Sequence, residues 1–348
     1  MLTHITLQRQ DPHNRLLLSH RLQRRQRLEQ ISTRLLSPTR VVYKVSLTMR
    51  KLTCLIAAAG LVVIPACSPN QGPATSTQGA TPPTGTAATP QVQQAITVYR
   101  TYVDGQIDET VTRAKVLTDA VRAGDLAAAQ AAYAPSRVPW ERIEPIAGLV
   151  EEIDGKVDAR VDDFAGVDDP TFTGWHRLEY LLFAQSTTEG AAPFADQLDA
   201  DLRTLKTEFA TVEIPPVEVA VGASELIEEV SLGKITGEED RYAKTDLWDF
   251  NGNLEGSKAV VEALTPALQA ADPTLLADIN RRFAELDATL APLRRGDGWV
   301  LYCLQDDQFP SPRCPAVTVS PELVNTLKAQ LAGLSEKTSQ IAGALGLG

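Results

Sequence analysis

Histidine is scarce in this chain. There are four in 348 residues, and three of them lie before residue 21, leaving His176 alone in the rest. A zinc hydrolase built on several histidines is therefore excluded for the body of the protein. Aromatic residues are only 5% of the chain, and Gly and Pro number 22 each, so they act as punctuation. That composition argues against a β-sandwich or a collagenous chain and favours helices. No apolar run reaches the ~20 residues of a comfortable membrane-spanning helix. Positive charge is also short where it matters. From Ser68 onward 22 Lys/Arg face 42 Asp/Glu, within a whole-chain net charge of −11. Such a body repels phosphate backbones and anionic headgroups and attracts cations, which makes nucleic acid an unsuitable ligand.

The first part of the chain has the opposite balance. Residues 1–48 hold nine Lys/Arg and two acids. Met49 then opens a segment in which Arg50 and Lys51 precede a 15-residue apolar run, Leu52 to Ala66. A basic start followed by a run of that length reads as a secretion signal over 49–66, with Met49 as the true start and 1–48 as a mis-called extension. Ile64-Pro65-Ala66-Cys67 resembles a bacterial lipobox, making Cys67 the expected lipidation site and mature N-terminus. Pro65 is atypical there, and simple secretion is the alternative. Ser68 to Gln93 carries no charge and is rich in Pro, Thr, Ala and Gly, so 67–93 reads as a tether spanning roughly 28 Å. Cys303 and Cys314 flank a short loop, and in an exported chain they are expected to form a disulfide worth about 2–3 kcal/mol. A two-Cys metal site is the alternative, although no further Cys or His lies nearby.

Beyond Gln91 the pattern is helical. Ile96, Tyr99, Val103, Ile107, Val111 and Ala114 recur at three- and four-residue steps. Gly124-Asp125 reads as a stop and an N-cap before an Ala-rich helix over Leu126–Tyr133. Further helices are expected over Val138–Ile153, Thr173–Phe183, Phe194–Val212, Val217–Leu232 and Asp246–Ala271. Asp272-Pro273 introduces one at Leu275–Leu290, and Ser320-Pro321 introduces the last, from Glu322 to about Leu345. The expectation is an all-α body over 94–346 with two lobes of four helices each, about 94–214 and 217–346, divided at Pro215-Pro216.

The candidate chemistry sits in three segments. GWHRLEYLLF places His176 and Glu179 three residues apart on one helix face, able to offer nitrogen and oxygen to one cation. Alone, an HxxE of this kind more often marks a helix-surface pair. VPWERIEPIA places Glu141 and Glu144 at the same spacing, where two carboxylates raise each other's pKa unless a cation compensates them. Asp158 follows in GKVDAR, and TGEEDRYAKTDLWDF adds Glu238, Glu239, Asp240, Asp246 and Asp249. Trp140, Trp175 and Trp248 lie beside these carboxylates and Trp299 beside the cysteine loop, as suits a partly dry pocket.

Together, RVPWERIEPIA, DPTFTGWHRLEYLLF and ITGEEDRYAKTDLWDFNGNLEGSKAVVEAL resemble the imelysin-like (peptidase-like) domain of EfeO/EfeM-type iron-uptake proteins, over about Gln91 to Leu347. The resemblance implies two related four-helix bundles, export to the periplasm or the outer face of the cytoplasmic membrane, and metal binding near HxxE. It also implies two partners, an iron permease and a haem-peroxidase-like protein. The implied metal positions are His176, Glu179, Glu141, Glu144, Asp158 and Glu239. Family members commonly have Ser-His-Thr-Asp where this chain has Ala243-Lys244-Thr245-Asp246, and a protonated lysine cannot ligate. Some carry an N-terminal cupredoxin-like domain, for which the stretch between Cys67 and Gln91 leaves no room, so the chain resembles the short form.

The expected function is iron capture at a carboxylate/His site and transfer to a membrane permease, by a protein held at the membrane through its lipid. Carboxylates with one imidazole suit iron, as Fe2+ or Fe3+, and also admit zinc or copper. The alternative is an HxxE-type metallopeptidase. It is disfavoured because HxxE is not HExxH and only one histidine is present. A ferritin-like di-iron oxidase needs a reversed motif and a second His. A helical lipoprotein without metal is the blandest reading.

Overall fold

The computed structural model describes residues 88–347. The expected extension, signal, lipidated Cys67 and most of the tether lie outside the described residues. Within them the fold is all-α, with one short hairpin pairing β1 (Arg294–Arg295) with β2 (Gly298–Trp299). Helix α1 spans Pro90–Arg122 and buries Tyr99, Val103, Ile107 and Ala114 from the predicted stripe. Ile96 and Val111 are only partly buried at its margin. Asp125 caps α2 (Leu126–Glu141) by accepting from Ala128 N at 2.9 Å.

At α2 the structure departs from the expectation. Val138 does not open a new helix, because α2 runs through Pro135 and Pro139 and ends at Glu141. Burial against α1 and the later helix over Asp246–Ala271 outweighs the hydrogen bonds the prolines remove. A 3-10 turn over Glu144–Leu149 follows, then α3 (Glu151–Val157). Glu141 and Glu144 therefore lie on either side of a break, not on one helix.

Helix α4 is only Gly174–Glu179, continued by a wider π turn over Tyr180–Ala184. Gly174 adopts φ +78°, and a Cβ there would stand 2.3 Å from Val157 O. Only glycine lets the HxxE segment approach the end of α3 so closely. Helix α5 is Ala192–Phe209. Pro216 starts α6 (Pro216–Leu232). Gly222 is unusual in a helix interior, and a Cβ on it would fall 1.8 Å from Pro145 O. It lets α6 lie directly on the turn that begins with Glu144.

Helix α7 covers Asp246–Ala271 as predicted, and α8 covers Pro273–Leu290 with Asp272 accepting from Leu275 N at 2.9 Å. The last helix was expected to continue to about Leu345. Instead α9 (Pro321–Thr338) ends and a short α10 (Ile341–Ala344) follows. Helices α1, α2 and α5 pack together in the first half, and α6 to α9 in the second. Helix α7 contacts both groups, and one continuous apolar core links them. Among the described residues no helix is long and apolar enough to cross a membrane. Cys303 and Cys314 are joined by a disulfide, with Cα atoms 5.4 Å apart.

Candidate metal centre

Arg137 is the hub of the buried polar interior. It lies on α2 one turn before Glu141, with no exposed surface. Its guanidinium donates to Glu141, to Asp158 at the end of α3, to Glu239 at 2.8 Å, and to Asp249 in the first turn of α7 at 3.1 Å. Asp240 lies 3.8 Å away. The sidechain also lies 5.8 Å from the Trp175 ring centre, and Trp140 packs beside Trp175, so the carboxylates have an apolar wall.

Lys234 is a second buried cation. It sits in a 3-10 turn after α6 and bonds Glu141 Oε2 at 2.9 Å and Glu144 Oε2 at 2.8 Å, with Glu239 Oε1 at 3.5 Å. Asn253 on α7 donates to the same two oxygens of Glu141 and Glu144. Arg160 closes the outer side by pairing with Glu239 and, at 3.5 Å, with Glu238. Segments from α2 through α7 thus deliver charge to one place.

His176 and Glu179 are 2% and 1% exposed. His176 Nδ1 lies 3.1 Å from Glu179 Oε2. Glu179 Oε1 accepts from the backbone amides of Tyr242 at 2.7 Å and Ala243 at 2.8 Å. Those bonds occupy Glu179 and fix the imidazole, leaving Nε2 turned inward. Nε2 is buried and has no hydrogen-bond partner. It stands 3.6 Å from Asp158 Oδ1 and 3.8 Å from Glu239 Oε1. Asp158, His176 and Glu239 can bring one ligand atom each within 4.8 Å of one another. So can Glu141, Glu144 and Asp158, and also His176, Glu179 and Asp240.

Electrostatics separate these groups. Burial and the Arg137 charge push the His176 imidazole down, but Glu179, Glu239 and Asp158 overcome both and hold its pKa up at about 9. Burial, with Glu141 beside it, drives Glu144 well above the usual carboxylate range against the pull of Lys234. Burial also opposes ionisation of Glu239, yet Lys234 and Arg160 outweigh it and hold that carboxyl well below its usual range. Burial dominates at Asp246 and Asp249, which are pushed well up. Glu141, Glu144, Asp158, Glu179, Glu239, Asp240 and Asp249 gather around Arg137, Arg160, Lys234 and a His176 held in its charged form. A metal cation could take the place of the His176 proton, since an imidazole nitrogen without a hydrogen-bond partner among oxygens is a fitting donor for it.

The six residues singled out from sequence all belong to this one cluster. Arg137, Lys234 and Asn253 were not foreseen. Arg137 had a usable signal, since it stands four residues before Glu141 and so on the same helix face. Lys234 had none, because its turn carries no periodic pattern. Lys244 stands where the family resemblance implies histidine. It adopts φ +59° and turns to Asp307, with Nζ 2.7 Å from Oδ2.

These features define an all-helical protein with a buried carboxylate–imidazole centre. The sequence model of the imelysin family, peptidase family M75, matches residues 95–341, and the chain belongs to that family. It is 45% identical over 254 residues to the iron uptake system component EfeO of Escherichia coli O157:H7. It is 44% identical, over the same length, to EfeO of E. coli K12 and of Shigella flexneri. Each alignment covers 73% of this chain and 64% of the relative, so the chain spans a little under two-thirds of their length.

Proposed function

We propose that this protein is an extracytoplasmic component of an iron-uptake system, capturing iron at the buried centre and passing it to a membrane permease. The observation that carries this reading is the His176 Nε2 atom, buried, unpartnered and facing Asp158 and Glu239. The similarity to EfeO proteins supports iron as the cargo. Asp158, Glu239 and His176 are the proposed donors nearest one another, with Glu141 and Glu144 as a second group of oxygens beside Asp158. Glu179 orients His176, as the carboxylate partner of a metal-bound imidazole commonly does.

An arriving cation neutralises carboxylates that otherwise repel, and it competes with Lys234 for Glu141 and Glu144. Binding requires deprotonated His176, so capture releases a proton and strengthens as pH rises toward 9. Glu144, Asp158, Arg160 and Glu238, all partly exposed, form the rim through which an ion would enter. A lipid anchor at Cys67 would keep the protein near its permease and its haem-peroxidase-like partner.

Iron titration of the full chain tests this. Wild type is expected to bind, and His176→Ala combined with Glu144→Ala to lose most of that affinity. No binding in wild type, or unchanged affinity in the double variant, contradicts the proposal.

A further inference from the structure

The disulfide-closed loop is packed on the back of the strap that holds Glu179. In residues 242–244, three consecutive carbonyls are gripped from one side. Ser311 Oγ donates to Tyr242 O at 3.2 Å, Arg313 donates to Ala243 O, and Tyr302 N donates to Lys244 O at 2.8 Å. From the other side, the amides of Tyr242 and Ala243 donate to Glu179. The Tyr242–Ala243 peptide group therefore accepts from Ser311 and donates to Glu179, so each bond polarises the other. Side chains reinforce the grip. Lys244, fully buried, meets Asp307, and the Arg241 guanidinium lies 4.3 Å from the centre of the Phe309 ring. Tyr302 and Arg313 are the immediate neighbours of Cys303 and Cys314, so the disulfide joins the two ends of the grip.

We propose that the Cys303–Cys314 loop is a positioning device for the metal centre. The loop holds the strap, the strap holds Glu179, and Glu179 fixes His176 with Nε2 turned to Asp158 and Glu239. Arg313 and Ser311 are positioning residues that never touch the cation. Only the last link, from His176 to iron, rests on the reading of the centre as an iron site. The earlier links exist in the protein without metal.

The test has a metal-free arm and an iron arm, both on the full chain. In the first, amide hydrogen exchange of Tyr242 and Ala243 is compared in wild type, Cys303→Ser/Cys314→Ser, Arg313→Ala and Arg313→Lys. Exchange at these two amides is expected to rise about tenfold or more in the serine and alanine variants. Arg313→Lys should recover most of the protection, and amides of α1 and α5 should be unchanged. In the second arm, the serine and alanine variants should bind iron about 10- to 100-fold more weakly. Arg313→Ala should add nothing once Glu179→Gln is present. Unchanged protection at Tyr242 and Ala243, or loss spread evenly over the helices, overturns the proposal whether or not iron binds. Full iron affinity in Cys303→Ser/Cys314→Ser overturns it as well. A wild type that binds no iron, with the exchange result as expected, refutes the iron reading and leaves the positioning chain standing.

Discussion

On α8, Arg281 reaches Asp278 and Glu285 along its own helix, and the three side chains stay between 27% and 54% exposed. In the centre, Arg137 reaches five carboxylates drawn from four parts of the chain, with no exposure at all. The ions are the same and the surroundings differ. Water and salt screen the α8 pairs, which contribute little. The centre has lost that hydration, so each ion there depends on its partners, and removing one leaves the others uncompensated. A protein keeps so costly a cluster where specificity or binding needs it, and the unpartnered His176 Nε2 beside Asp158 and Glu239 fits the proposed cation.

The largest expected effect lies at the hub. Arg137→Leu should destabilise the fold by about 3–5 kcal/mol, read from chemical denaturation, because it strands Glu141, Asp158, Glu239 and Asp249 together. A loss under about 1 kcal/mol would mean that water already reaches the centre.

The next effect is in pH. The His176 pKa is about 9 in the fold against an ordinary value of 6.5. A raised pKa contributes stability that is complete below 6.5 and is lost as pH rises through 9. Metal-free wild type should therefore lose several degrees of Tm between pH 6.5 and 9 that His176→Gln does not lose. Equal slopes for the two proteins would show that the imidazole is not held by its carboxylates.

Glu144 should respond more mildly. Its carboxyl is pushed toward the neutral form by burial and Glu141, so Glu144→Gln copies the state the fold already favours. Stability should change by less than about 1 kcal/mol, while iron affinity falls by about tenfold. Calorimetry on the same preparation reads both, and a stability loss without an affinity loss would make Glu144 structural. At the small end, Arg281→Ala should cost under about 1 kcal/mol in denaturation and become neutral in high salt.

Much of this arrangement was legible from residues alone, for identifiable reasons. Helices α1, α7 and α8 announce themselves through long apolar stripes and through caps such as Asp272-Pro273. The prolines of α2 misled because their cost is local, whereas the burial that overrides it comes from distant chain. Glu141, Glu144, His176 and Glu179 were visible through their spacing, yet the spacing was right for a different reason in each pair. His176 and Glu179 do share a helix face, while Glu141 and Glu144 meet across a helix break through Lys234 and Asn253. Lys234 and the role of the cysteine loop could not be read, since both depend on contacts between segments far apart in sequence.

The central claim is that one cation belongs between His176, Asp158 and Glu239. Crystals of the full chain soaked with ferrous iron and measured across the iron absorption edge test it most directly. An anomalous peak in contact with His176 Nε2 and a carboxylate oxygen of Asp158 or Glu239 is the predicted result. Iron bound only elsewhere, or no peak at a concentration that saturates the protein in solution, would contradict it.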